Sequence, residues 1–239
     1  MPHKNIFKMV SLANKKNIST TISSNLNVFP EKYEYELVNS NLERLVVSFD
    51  GTTQETYSAY RVGGKIERVI ENVKRIVAAK KALRKKTPFI KLQFLVNRFN
   101  EHQIGDVKAF AGNNEVEIEI KPLIFNGKDQ EESNKWKPRT VELERTYNFS
   151  HADDNRGNYW CNWLWKYIVI NWDGTVTPCC NWIENGLFEF GDFKKHTLDE
   201  IWNNEYYVSA RTAIKTGRSE LVTACNYCLG NPPAVGENK

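Results

Sequence analysis

Every cysteine of this chain lies in its last third: Cys161, the adjacent Cys179 and Cys180, and the pair Cys225 and Cys228 in a Cys-x-x-Cys. None of the five stands in the first 160 residues. Thiols concentrated in this way restrict the C-terminal region to folds that bring sulfurs together, and the grouping suits a metal site. Two other readings compete. Free cysteines often serve as small buried apolar residues, and a Cys-x-x-Cys also suits a redox pair. Neither explains why all five gather around one hairpin and one C-terminal pair. Disulfides are the weakest rival, because residues 1–10 hold no long apolar stretch of signal-peptide type and a reducing, cytoplasmic setting is expected.

The hairpin is legible in residues 167–180. Two strand-like runs flank Asn171-Trp172-Asp173-Gly174, and Asp-Gly is a strong turn signal. Pro178 ends regular pairing and presents Cys179 and Cys180 at the hairpin's end, while Cys161 precedes its first strand. Both ends can deliver thiolates to one place, and Cys225 and Cys228 can complete a set of four. Four thiolates suit zinc or an iron-sulfur cluster.

In order and spacing, Cys161, Gly174, Cys179 and then Cys225-x-x-Cys228 resemble the SPASM domain, the auxiliary-cluster domain appended to radical SAM enzymes. The full family pattern continues with further cysteines and holds two 4Fe-4S clusters, whereas no cysteine follows Cys228. The resemblance therefore implies a shortened SPASM domain with one auxiliary 4Fe-4S cluster. Its implied ligands are Cys161, Cys179, Cys225 and Cys228, with Cys180 as a spare or a substitute for Cys179; His151, close to Cys161 in sequence, is a fallback if neither serves. The other histidines, His3, His102 and His196, read as solvated surface residues.

The N-terminal half resembles the same family independently of the cysteines. Leu45-Val46-Val47-Ser48-Phe49-Asp50-Gly51, then Glu55-Thr56-Tyr57 and Tyr60-Arg61-Val62-Gly63-Gly64, are similar to the fourth strand and following helix entry of radical SAM barrels. By that resemblance Ser48, Asp50 and Arg61 fall where the family contacts the ribose and carboxylate of S-adenosylmethionine. On propensity alone, Ser48 and Asp50 would be a strand end and helix cap, and Gly63-Gly64 a helix-entry turn. The family's Cys-x-x-x-Cys-x-x-Cys and its Gly-Gly-Glu are both absent from this sequence. The chain opens on residues similar to the helix after the family's second strand. A truncated gene, a late start codon or an enzyme split into separately encoded pieces is the expectation.

Periodicity gives an α/β order. Ile6, Met9, Val10 and Ala13 mark a first amphipathic helix, followed by a strand over 18–23, a short helix over 30–39 and a strand over 45–50. Ile66, Val69, Ile70, Val73, Ile76 and Val77 keep helical spacing through 65–84, and strands follow over 91–97 and 116–120. This order implies parallel strands. With the resemblance, they become the last four strands of a partial radical SAM barrel over 1–125. Residues 126–159 read as a polar linker and 160–239 as the small cysteine-rich α+β domain. In that domain Thr197-Leu198-Asp199-Glu200 reads as a capping box opening one helix that stops near Gly217, and Trp172 and Trp182 are expected in the core.

Composition excludes some classes. No apolar run approaches the roughly 18 residues of a membrane helix. The net charge of +4 is mild, and the basic run 80–86 ends a helix, where cations complement the dipole; no nucleic-acid partner is expected. Two functional classes remain. One is part of a radical SAM/SPASM enzyme that modifies a peptide, protein or carbohydrate-linked substrate. The other is a non-catalytic module in which zinc or one cluster staples the small domain.

Overall fold

The structure, a computed structural model, describes residues 3–123, 130–140, 161–179, 189–218 and 221–222. It divides into two compact units, residues 1–150 and 151–239.

The first unit is built on four parallel strands, β1 (Thr21–Ser24), β2 (Arg44–Ser48), β3 (Phe89–Val96) and β4 (Glu117–Pro122), side by side in chain order. Helices α1 (Ile6–Lys15), α2 (Tyr33–Asn39), α3 (Gln54–Tyr60), α4 (Ile66–Ala82) and α5 (Ile104–Asn113) alternate with them. The expected α/β class and parallel pairing are thus present. β1 is shorter than expected because Ile18 stays outside the ladder. A helix, α6 (Gln130–Trp136), stands where an irregular linker was expected.

One face of the sheet is apolar. Leu45, Val47 and Phe49 alternate into it from β2 and its extension, and Ile90, Leu92, Phe94 and Val96 from β3; all are buried with Ile66, Val69, Val73 and Ile76 of α4. At about 2 kcal/mol per fully buried aliphatic side chain, this contact dominates the unit's stability. Phe49 also stacks on Phe110 of α5, with ring centroids 5.0 Å apart. The opposite face is polar. Its rows follow from the register: Ser48 lies beside Gln93, and Gln93 beside Glu119. Glu119 pairs with Lys121 at 3.0 Å and Lys91 at 3.7 Å, and Lys121 above all holds its carboxyl below the usual range. Buried parallel strands ordinarily read as continuous apolar runs. Here burial alternates along β2 and β3, with Val46, Ser48, Lys91, Gln93 and Leu95 only half-buried among the described residues.

A cavity of about 470 Å³ opens at the β1 edge, lined among others by Ile6, Phe7, Ile22, Leu26, Leu37 and Leu45. Met9, Leu12 and Ile18 are exposed apolar residues at this end of the chain.

The second unit holds helix α7 (Trp163–Lys166), strands β5 (Val169–Ile170), β6 (Thr175–Thr177) and β7 (Gly191–Asp192), and helices α8 (Leu198–Trp202) and α9 (Glu205–Lys215). β5 and β6 form the expected hairpin, and β7 adds an unforeseen antiparallel third strand. The turn spans Asn171 to Thr175: the Gly174 amide donates to the Asn171 carbonyl at 3.0 Å, and Asp173 Oδ1 accepts from the Thr175 amide at 3.0 Å. Gly174 sits at φ +93°, where an L side chain is strained.

Two expectations are corrected. Trp172 is 97% exposed at the turn tip instead of buried, because the three-residue loop carries it away from the core. Trp182 lies outside the described residues. The single helix after the capping box is two helices, since Asn204 breaks the run and caps α9 by accepting the Tyr207 amide at 3.0 Å. The capping box itself is present: Thr197 and Glu200 bond reciprocally at the start of α8. The unit's core consists of Leu164, Val176, Phe190, Ile201, Tyr207, Ala210 and Ile214. Among the described residues no helix is long and apolar enough to cross a membrane.

Candidate functional site

In the first unit, polar side chains converge where β2 and β3 end. Asp50 is fully buried two residues beyond β2. Its Oδ2 accepts from Arg61 Nε at 2.6 Å and its Oδ1 from the Leu95 amide at 2.8 Å. Burial pushes the Asp50 carboxyl up, and the Leu95 amide and Arg61 pull it back only partly, so it stays above the ordinary range. Arg61 caps the C-terminus of α3, lies over the Tyr60 ring at 4.9 Å and keeps part of its side chain exposed. Ser48, the last residue of β2, faces the polar side of the sheet, alternate to buried Val47 and Phe49. The structure therefore brings Asp50 and Arg61 into contact and sets Ser48 on the same strand end.

The glycine after Asp50 has a steric cause. A Cβ on Gly51 would stand 2.6 Å from the Tyr57 amide nitrogen, because the first turn of α3 folds directly over it. No other residue permits that approach.

Sequence reasoning did not single out two buried amides that lock this region. Asn100 donates to the Asp50 carbonyl at 3.0 Å and the Leu95 carbonyl at 2.9 Å. Gln103 Oε1 accepts from the Thr52 amide at 2.7 Å and Thr56 Oγ1 at 2.8 Å. Polar residues directly after an apolar strand, Asn97 to Gln103, were the available signal. Trp136 of α6 adds an aromatic wall, edge-on to Tyr60 at 5.6 Å and Phe99 at 5.1 Å.

In the second unit, Cys161 and Cys179 are half-buried. Cys161 carries a free thiol and packs against the core that contains Leu164, Val176 and Tyr207. Cys179 follows β6, its carbonyl accepting from Thr177 Oγ1 at 3.3 Å. Burial pushes the Tyr207 phenol up to about 12, with Arg211 opposing. Cys180, Cys225, Cys228 and His151 lie outside the described residues. Among the described residues no three His, Cys, Asp or Glu gather as a metal site.

The donor chemistry of this unit fits a sulfur-ligated group. Cys161 packs against one small core, and Tyr207 of that core and Arg211, one turn along the same helix, each hold a buried polar atom with no hydrogen-bond partner among the described residues, Tyr207 Oη and Arg211 Nη2. Donors of this kind suit an anionic acceptor.

Residues 161–229 match SPASM, an iron-sulfur cluster-binding domain. Over 98% of its length the chain is similar to a tungsten-containing aldehyde ferredoxin oxidoreductase cofactor-modifying protein of Pyrococcus furiosus, at 19% identity and covering 77% of that protein. In fold it is similar to Streptococcus suis SuiB, with a TM-score of 0.64 and 14% identity over 88% of this chain and 55% of SuiB. SuiB bound to S-adenosylmethionine gives 0.63 and 13% over 92% of this chain and 54% of that one. SuiB bound to its precursor peptide SuiA gives 0.60 and 13% over 88% and 54%. The chain thus spans about half the length of the solved structures it matches. The cysteines thus lie inside a match to an iron-sulfur cluster-binding domain, and the chain is similar in fold to SuiB.

Proposed function

We propose that this chain is part of a radical SAM/SPASM enzyme acting on a peptide, and that its C-terminal unit holds one auxiliary 4Fe-4S cluster. The observation that carries this reading is that all five cysteines fall within the residues matched to an iron-sulfur cluster-binding domain. Cys161, Cys179, Cys225 and Cys228 would be the ligands. Such a cluster, when bound, supplies an electron relay or a substrate anchor next to the reaction. The chain's own contribution is to hold two thiolates against a packed core, where Leu164 and Val176 exclude water from one side.

In the N-terminal unit, Ser48, Asp50 and Arg61 are the S-adenosylmethionine-binding residues of this reading. Arg61, held through its Nε by Asp50, would offer its two terminal guanidinium nitrogens to a carboxylate. The strands would be the last four of a partial barrel, its polar face the lumen, with the ligand at the strands' C-terminal ends. A peptide is favoured because SuiB, similar in fold, binds the precursor peptide SuiA.

The absence of cysteine from residues 1–160 favours a second reading for these 239 residues taken alone, a non-catalytic metal-binding module. Anaerobic reconstitution of wild type, C161A and C228A separates the possibilities. The enzyme reading predicts broad visible absorption and a reduced-state paramagnetic signal in wild type, lost in both variants. Colourless protein saturated with zinc would support the module instead.

A further inference from the structure

Tyr207 and Arg211 sit one turn apart on α9, and each leaves one buried polar atom without a partner among the described residues. A buried hydroxyl with no partner is destabilising, and phenylalanine would fill the same space without that cost. Tyr207 is fully buried, edge-on to Phe190 at 5.0 Å, so its ring cannot swing the hydroxyl to solvent.

Arg211 is fixed as firmly. Its Nε donates to the Leu164 carbonyl at 2.8 Å and its Nη1 to the Trp202 carbonyl at 2.8 Å. The guanidinium lies over Trp202 at 4.4 Å and over Tyr207 at 5.1 Å. Two carbonyls and two rings therefore set its plane, and the remaining nitrogen, Nη2, is held buried with its donors unused. The same core receives Cys161, and β6, whose Val176 is part of that core, leads into Cys179. A fixed hydroxyl and a fixed cationic N–H, both idle, in a unit whose core receives Cys161 read as donors awaiting an anionic sulfur acceptor.

We propose that Tyr207 Oη and Arg211 Nη2 donate hydrogen bonds to the sulfurs of the cluster assigned above to the C-terminal unit, and that they set its reduction potential. This rests on the cluster reading of the preceding subsection. Reduction adds one negative charge to a group already anionic through its thiolates. Donors and a cation at the sulfurs favour the more negative state and so raise the potential. Tyr207 and Arg211 are positioning and tuning residues, not ligands.

The test uses the reconstituted full chain as wild type, Y207F and R211K. Potentiometric titration followed by absorbance should show a more negative midpoint in Y207F, with iron and sulfide content unchanged. R211K keeps the charge but loses the fixed Nη2 donor, and it should move the midpoint in the same direction. Resonance Raman bands of the Fe–S stretches should rise in Y207F as sulfur loses a hydrogen bond. The cluster-free Y207F protein should melt no lower than wild type, because the hydroxyl has no partner there. A Y207F cluster with wild-type midpoint and wild-type Fe–S bands would overturn the assignment while leaving the cluster reading intact. Wild-type protein that takes up no iron and sulfide would overturn both.

Discussion

The carboxylate of Asp50 and the guanidinium of Arg61 meet at 2.6 Å, with Asp50 fully buried and the Arg61 side chain 29% exposed. The buried partner cannot be rehydrated if the pair is broken, whereas the exposed one can. Substitutions at the two ends are therefore unequal.

R61A leaves a buried carboxylate without its cationic partner, still bonded to the Leu95 amide, and should cost about 3 kcal/mol at pH 7, with D50N costing less. The penalty is pH-dependent. Burial already holds the Asp50 carboxyl above its ordinary value in the folded chain, so its protonated form is favoured by folding. Its contribution to stability is greatest below the unfolded value and declines as pH rises through the folded one. Removing Arg61 deletes one of the groups that pull the carboxyl down and extends that decline upward. Urea unfolding at pH 4 and pH 7 should show the smaller R61A penalty at pH 4. Equal penalties would contradict the account.

The capping box gives an effect of opposite sign. Bonds from the Thr197 amide and hydroxyl hold the Glu200 carboxyl below its ordinary value. Its contribution is therefore present above the unfolded glutamate value and lost as pH falls through the folded one. T197A should cost about 1 kcal/mol near neutrality. The deficit relative to wild type should narrow in acid, as followed by circular dichroism melts.

Much of this was legible from residue pattern. Leu45, Val47 and Phe49 at every second position mark a strand with one apolar face, and the helical spacing of Ile66, Val69, Val73 and Ile76 its cover. Asp173-Gly174 marks the hairpin because few other residues accept a left-handed turn position. What stayed hidden depends on non-local contact. Asn100 and Gln103 look like loop amides until the ends of β2 and β3 are adjacent, and Tyr207 looks like an ordinary core aromatic until its hydroxyl is found unpaired. Trp172 was misread because bulk and apolarity suggested burial, while the turn geometry places it at the tip.

The 239 residues described here should not cleave S-adenosylmethionine reductively on their own. Ser48, Asp50 and Arg61 supply only binding groups, and residues 1–160 contain no thiol to ligate a cleaving cluster. Chromatographic assay with dithionite should find no 5'-deoxyadenosine above a protein-free control. Its production would contradict the assignment of roles.

Among the described residues β1 pairs on one side only, with β2, and Met9, Leu12 and Ile18, which precede it in the chain, are exposed. Amides of residues 21–24 should exchange with deuterium much faster than those of residues 46–49, which lie between two strands. The exposed apolar groups should also promote self-association, visible as concentration-dependent sedimentation. A monodisperse monomer with both strands equally protected would contradict this picture of the edge.

The central claim is that the C-terminal thiols hold an iron-sulfur cluster, and metal and acid-labile sulfide analysis of the anaerobically reconstituted chain tests it most directly. The account predicts about four irons and about four sulfides per chain, lost on C161A or C228A and retained on C180A. Stoichiometric zinc with no sulfide would contradict it.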